Sequence, residues 1–128
     1  MTYMFYKMTK LRKLSIRGMC INRSSANIGY FFEMDPNLTE LNVGDGFFKD
    51  ASLSLPSNFF TATSAADGVR TSSIPGTLTI RCTQNSADWL ARTNLRWFHS
   101  GYKSATPITV NFIDDATGNP LSVTWAAN

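Results

Sequence analysis

GTLTIRCTQNSADWLARTNLRWFHSGYKSATPITVNFIDDATGNPLSVTW (Gly76–Trp125) is the stretch around which the chain is organised. From Gly76 to Thr83 it alternates: Leu78, Ile80 and Cys82 share one face, and Thr77, Thr79, Arg81 and Thr83 share the other. A period of two marks a strand with one face buried. From Gln84 to Gly101 the spacing turns helical. Asn85 or Ser86 can cap the first turn, Asp88 lies near the positive end of the dipole, and Gly101 suits the position just past the helix. Asp88 and Arg92 stand four apart in the favourable order. Leu90, Trp97 and Phe98, with Ala91 and Leu95, form a broad apolar stripe that fits a helix lying on a sheet. Alternation returns in Pro107–Ile113 and in Leu121–Ala126, with turn residues Ala116–Asn119 between them. That spacing predicts a terminal hairpin.

Outward from this unit the patterns are weaker. Leu14 and Ile16 alternate with Lys13, Ser15 and Arg17, and the parity flips at Gly18, as a bulge would produce. Asn22–Asn27 reads as a turn, and Ile28–Met34 as a strand with aromatics on both faces. Leu38–Val43 alternates only in part and reads as a short strand or a helical turn. Gly44, Asp45 and Gly46 form a turn, and Phe47–Leu55 a further strand. Residues 56–75 are rich in Ser, Thr, Ala, Gly and Pro and read as an extended loop carrying Phe59 and Phe60. Such a loop is either ordered by a partner or folded back on its own domain. Residues 1–10 are expected to be a flexible N-terminal arm, and residues 11–128 a single β-rich domain.

A chain of 128 residues, 43% hydrophobic and 12% aromatic, is large enough for one core. No run approaches the roughly 18 apolar residues of a membrane-spanning helix. No apolar segment with a small-residue cleavage site follows the N-terminus, so a secretory signal is not expected. Cys20 and Cys82 sit in apolar segments and read as buried reduced thiols, with their pairing left open. The net charge of +3 hides an asymmetry, since residues 1–32 carry +6 with no acid and residues 33–128 carry −3. A basic segment of that kind binds nucleic acid or anionic lipid, pairs with an acidic neighbouring subunit, or simply lies in solvent.

The search for reactive chemistry returns no catalytic, metal-binding or cofactor-binding residues. His99 is the only histidine. It falls in a helix C-terminal turn where its charge suits the dipole, with no nucleophile elbow to serve. Two cysteines and one histidine do not make a zinc site. Asp114 and Asp115 are adjacent and shape a turn. Gly44-Asp45-Gly46 is too short to cradle phosphate. The chain is therefore expected not to be an enzyme. Two binding readings remain. Lys7, Lys10, Arg12, Lys13 and Arg17 interleave with Tyr3, Phe5 and Tyr6, as in single-strand nucleic-acid binders. Alternatively, Trp125, Trp89 or Trp97 is a stacking platform of a small β-sandwich that binds sugar or peptide.

A family resemblance adds a third reading. GTLTIRCTQNSADWLARTNLRWFHS resembles the late strand and flanking helix of tube proteins from contractile bacteriophage tails. TPITVNFIDDATGNPLSVTWA is similar to the hairpin that ends that domain. The likeness covers about residues 74–126, and residues 11–55 only in the order of strands. It implies a mainly β fold, an antiparallel β-sandwich or half-barrel with one flanking α-helix at about 85–100, completed by oligomerisation. It implies a structural virion protein, self-associating into stacked, hexameric rings of an inner tail tube through which DNA passes without specific binding. Contacts with the tail sheath and other tail proteins, a virion location after assembly in the host cytoplasm, and no membrane insertion follow from it. Inter-subunit contacts would fall on Phe47, Phe48, Phe59 and Phe60 and on the basic Arg12, Lys13 and Arg17.

Overall fold

A computed structural model of the chain describes residues 5, 7–18, 37–44, 61–64, 70–72, 76–92, 94–97 and 107–125. Strands are β1 (Lys13–Ser15), β2 (Glu40–Gly44), β3 (Thr61–Ser64), β4 (Arg70–Ser72), β5 (Thr77–Cys82) and β6 (Thr109–Asp114). Helix α1 runs Gln84–Arg92 and is followed by a 3-10 helix, Asn94–Trp97. The main sheet has four strands in the order β1-β2-β5-β6. All three of its pairings are parallel.

That finding corrects the expected antiparallel sandwich or half-barrel. The physical reason lies in the connections. β5 and β6 are joined through α1, and a strand–helix–strand unit whose helix packs back on the sheet returns its second strand in the same direction. β1 and β2 carry the same spacing, Leu11-x-x-Leu14-x-Ile16 and Leu38-x-x-Leu41-x-Val43. Equal spacing places equivalent residues side by side, with Leu14 opposite Leu41. Antiparallel structure is confined to two places. β3 and β4 form a separate two-stranded antiparallel sheet inside the stretch expected to be a loop. After β6 the chain reverses and touches it through one antiparallel bridge, Ile113 with Pro120. The predicted strand over Leu121–Ala126 does not form in the described part, Leu121–Trp125.

Alternation in the strands sets the layers. Leu14, Leu41, Ile80 and Phe112 lie in one row across the sheet. Ile16, Val43 and Cys82 follow toward the strand C-termini, and Leu78 lies on the opposite side of that row. α1 contributes Ala87, Trp89 and Leu90 to the same core, and the 3-10 helix contributes Leu95. Leu41, Leu78, Ile80, Leu90 and Leu95 are almost fully buried. Each such side chain stabilises the fold by about 1.5–3 kcal/mol through burial of apolar surface.

The helix begins at Gln84, where the helical spacing starts, but its cap lies two residues before Asn85. Thr83, the residue after β5, is the cap: its Oγ1 accepts from the Ser86 N–H at 3.4 Å, and its hydroxyl donates to Ser86 Oγ at 3.3 Å. Thr83 carbonyl accepts the Ala87 N–H at 3.0 Å, which closes the first turn. Asp88 and Arg92 do not pair through their charges. Arg92 Nε donates to the Asp88 carbonyl at 3.2 Å, while Asp88 Oδ1 accepts from the Gln84 amide at 3.1 Å. The α-helix is shorter than the predicted 85–100, because the 3-10 turn takes over at Asn94.

Part of the expected N-terminal arm belongs to the fold. Phe5 packs against the core, and Thr9 and Leu11 donate backbone hydrogen bonds to Lys7 and Met8. Asn37 donates its side-chain amide to the Thr9 carbonyl.

Candidate functional site: the open face of the sheet

Two opposite faces follow from one alternation. The face that α1 packs toward is apolar. The other presents Lys13 and Ser15 from β1, Glu40 and Asn42 from β2, Thr77, Thr79 and Arg81 from β5, and Thr109, Asn111 and Ile113 from β6. The register puts Lys13, Glu40, Thr79 and Asn111 in one row, and Ser15, Asn42, Arg81 and Ile113 in the next. Residues on the outer strands are mostly exposed, and those on the inner strands half-buried. Parallel sheets are usually covered on both faces, so a polar face that no described element covers calls for a function.

Charge on this face is compact, with two cations gathered on one acid. Lys13 Nζ lies 3.1 Å from Glu40 Oε2, and Arg81 Nε lies 3.9 Å from Glu40 Oε1. One carboxylate thus sits between two cations, and the rest of the face consists of hydroxyl and amide groups plus Ile113. Such groups donate and accept hydrogen bonds without a strong net field.

The C-terminal ends of the strands carry a second polar arrangement. Arg17 Nη2 contacts Asp115 Oδ2 at 2.8 Å. The arginine stem passes Gly44, where an added Cβ would lie 3.1 Å from Arg17 Cγ. Gly44 itself has φ +61°, a left-handed conformation that glycine adopts without strain, and its N–H donates to Asn42 Oδ1 at 3.0 Å. The Asp115 N–H donates to the Cys82 carbonyl at 3.0 Å. Beneath this layer the Cys82 thiol is pushed up to about 12, first by burial and then by Asp115, Asp114 and Asp88. A thiol so protonated is no nucleophile. Asp114 closes the next turn, accepting from the Thr117 hydroxyl and N–H, both at 2.8 Å. Those bonds, the hydroxyl first, hold its carboxyl below the usual value.

Of the residues expected at inter-subunit contacts, Phe47, Phe48, Phe59 and Phe60 lie outside the described residues. The three cations are placed. Arg12 is exposed, and its backbone carbonyl accepts from the N–H of Thr39 and Glu40 and from the Thr39 hydroxyl. Lys13 and Arg17 are each held by an acid of the same chain, so the basic segment does not form a continuous cationic stripe. Of the three tryptophans, Trp89 is buried in the core and Trp125 half-buried beside Phe112, with ring centroids 6.0 Å apart. Trp97 has no described side chain, and His99 lies outside the described residues. Sequence reasoning identified the wet faces of single strands. It missed that they add up to one surface, for which the repeated Leu-x-x-Leu spacing was the available signal.

Among the described residues no group of three or more His, Cys, Asp or Glu could hold a metal ion, and no helix is long and apolar enough to cross a membrane. The sequence matches no protein-family model, and neither curated proteins nor solved structures provide a match.

Proposed function

We propose that this chain is a non-catalytic binding module that holds another protein chain on the open polar face of its parallel sheet. The observation that carries the reading is the face itself, four strands wide, one side sealed by the core and the other lined by Ser, Thr, Asn and a Lys13–Glu40–Arg81 cluster whose two cations share one carboxylate. Neighbouring parallel strands that start from the same Leu-x-x-Leu spacing are the arrangement of solenoid repeats, whose exposed sheets serve as extended binding surfaces. A face of hydrogen-bonding groups whose two cations are both engaged by Glu40 suits a polar protein surface better than a polyanion, which needs uncommitted cations.

Site-specific photo-cross-linking in the producing cell tests it. A benzophenone side chain at Asn42 or Ser15 should give a protein adduct of discrete mass. The same probe at the exposed Asn85, on the helix side, should not. Thr79→Arg, checked for fold by circular dichroism, should suppress the adduct. Equal labelling from both sides sinks the reading.

The tail-tube resemblance implied antiparallel strands completed into a barrel between copies. The parallel sheet corrects that fold, and neither it nor the comparisons bear on the role itself. The self-association that the resemblance implied is the alternative that the same cross-linking distinguishes. An adduct at twice the chain mass would identify a second copy as the partner.

A further inference from the structure

The outer edge of β6 is only half covered. Along this strand backbone groups alternate in direction. The Thr109 N–H donates toward β5, to the Gly76 carbonyl at 2.7 Å. The Asp114 N–H and the Phe112 carbonyl point the other way, to Asn119 and Leu121, both at 2.8 Å. Val110 shares the parity of Phe112 and Asp114, so its N–H and C=O also face outward. Among the described residues no backbone group stands opposite Val110 on that side.

What lies there is a groove of about 560 Å³. After Leu121 the chain leaves the plane of the sheet. Leu121, Val123 and Trp125 turn toward the core instead of continuing a strand. The Ser122 carbonyl accepts from the Gln84 amide at 2.8 Å, which ties this segment to the start of α1. The groove thus has two unlike lips, Leu121, Val123 and Trp125 from the side of the core and Thr79 and Asn111 from the polar face, and it reaches Val110, whose backbone groups face outward.

The geometry points to a peptide site: the groove takes an extended segment of a partner chain, which adds as a short strand to the edge of β6. A backbone is the ligand that satisfies the outward N–H and C=O of Val110 together. The two unlike lips select an alternating sequence, apolar side chains toward Val123 and Trp125 and hydroxyl or amide side chains toward Thr79 and Asn111. Pro120 and Leu121 occupy the upper half of the edge, so the added strand is short. This inference rests on the reading of the sheet as a protein-binding surface and supplies its anchoring point.

The test uses the full chain labelled with nitrogen-15 and a soluble, lysine-flanked peptide of alternating valine and threonine. Titration should shift the amides of Val110, Phe112 and Val123 and the indole of Trp125. N-methylating the peptide backbone should weaken binding by about tenfold or more, since it removes the donors. Val110→Pro should do the same, because proline is tolerated where an edge N–H faces outward. Absence of shifts at millimolar peptide, shifts spread over α1, or equal binding of the N-methylated peptide would each overturn the site. Shifts at these residues that track protein concentration without peptide would assign the edge to a second copy and overturn it too. Face adducts from Asn42 with no shifts at β6 would leave the open-face reading standing and remove only the groove.

Discussion

The guanidinium of Arg17 and the carboxylate of Asp115 meet at 2.8 Å, joining the ends of the two outermost strands of the main sheet. Asp115 is only 11% exposed, whereas Arg17 is 60% exposed. The acid is therefore the partner that suffers when the pair is broken. Arg17→Met keeps the stem over Gly44 and removes the charge. It should lower stability by about 1 kcal/mol, seen as a lower denaturation midpoint with an unchanged slope.

Gly44 answers to the same contact. A side chain there must adopt φ +61° and meet Arg17 Cγ at 3.1 Å. Gly44→Ala should cost about 1–3 kcal/mol. Combined with Arg17→Ala, the steric part should vanish and the backbone part remain. A double-mutant cycle with no coupling would show that the stem does not cross the glycine.

Cys82 should itself resist thiol reagents in the native protein until the chain unfolds. Its folded thiol keeps its proton to about 12, against an ordinary value of 9.0. The unfolded chain ionises first as pH rises. Stability that is intact below about 9 is then lost toward 12, at up to about 1.4 kcal/mol per pH unit. Cys82→Ala should flatten that alkaline limb in urea titrations run from pH 8 to 11. Equal slopes in both proteins would contradict the burial of the thiol.

Asp114 works in the opposite sense. Its carboxyl titrates below the ordinary 3.8 because Thr117 donates to the charged form. The resulting stability is present above that ordinary value and disappears as pH falls through the lowered one. Thr117→Val removes the hydroxyl bond and should raise the value, read from the carbon-13 shift of the Asp114 carboxyl. An unchanged titration would show that the backbone N–H alone sets it.

Much of the architecture was legible residue by residue, and less so in combination. Leu78, Ile80 and Cys82 were readable as the buried side of a strand, and the helix after them was readable from its stripe. The cap of that helix was not. Asn85 and Ser86 have better capping propensity, but Thr83 already stands where β5 ends, and chain direction outweighs propensity. Strand direction was concealed by Ala116–Asn119. These residues do make a turn, but beyond Leu121 the chain packs Val123 and Trp125 against the core, with Trp125 beside Phe112, and does not continue along β6. The open face could not be read from any one strand. It exists only because Lys13, Glu40, Thr79 and Asn111, from four separate parts of the chain, fall into one row. The cations Lys13 and Arg17 looked available to a neighbour because their acids, Glu40 and Asp115, are remote in sequence.

That remoteness has a temporal consequence. In the row Leu14, Leu41, Ile80 and Phe112 every lateral neighbour is supplied across a long intervening stretch, and among the described residues no two neighbouring strands of the main sheet are joined by a local hairpin. The chain must close large loops before any of these rows rewards it. Folding on the order of milliseconds to seconds is expected, rather than the microseconds of helical bundles. During that interval Leu41 and Ile80 have no partners. A newly made chain is then sticky for longer than its size suggests, and the interval before β2 finds β5 is when it most needs a chaperone.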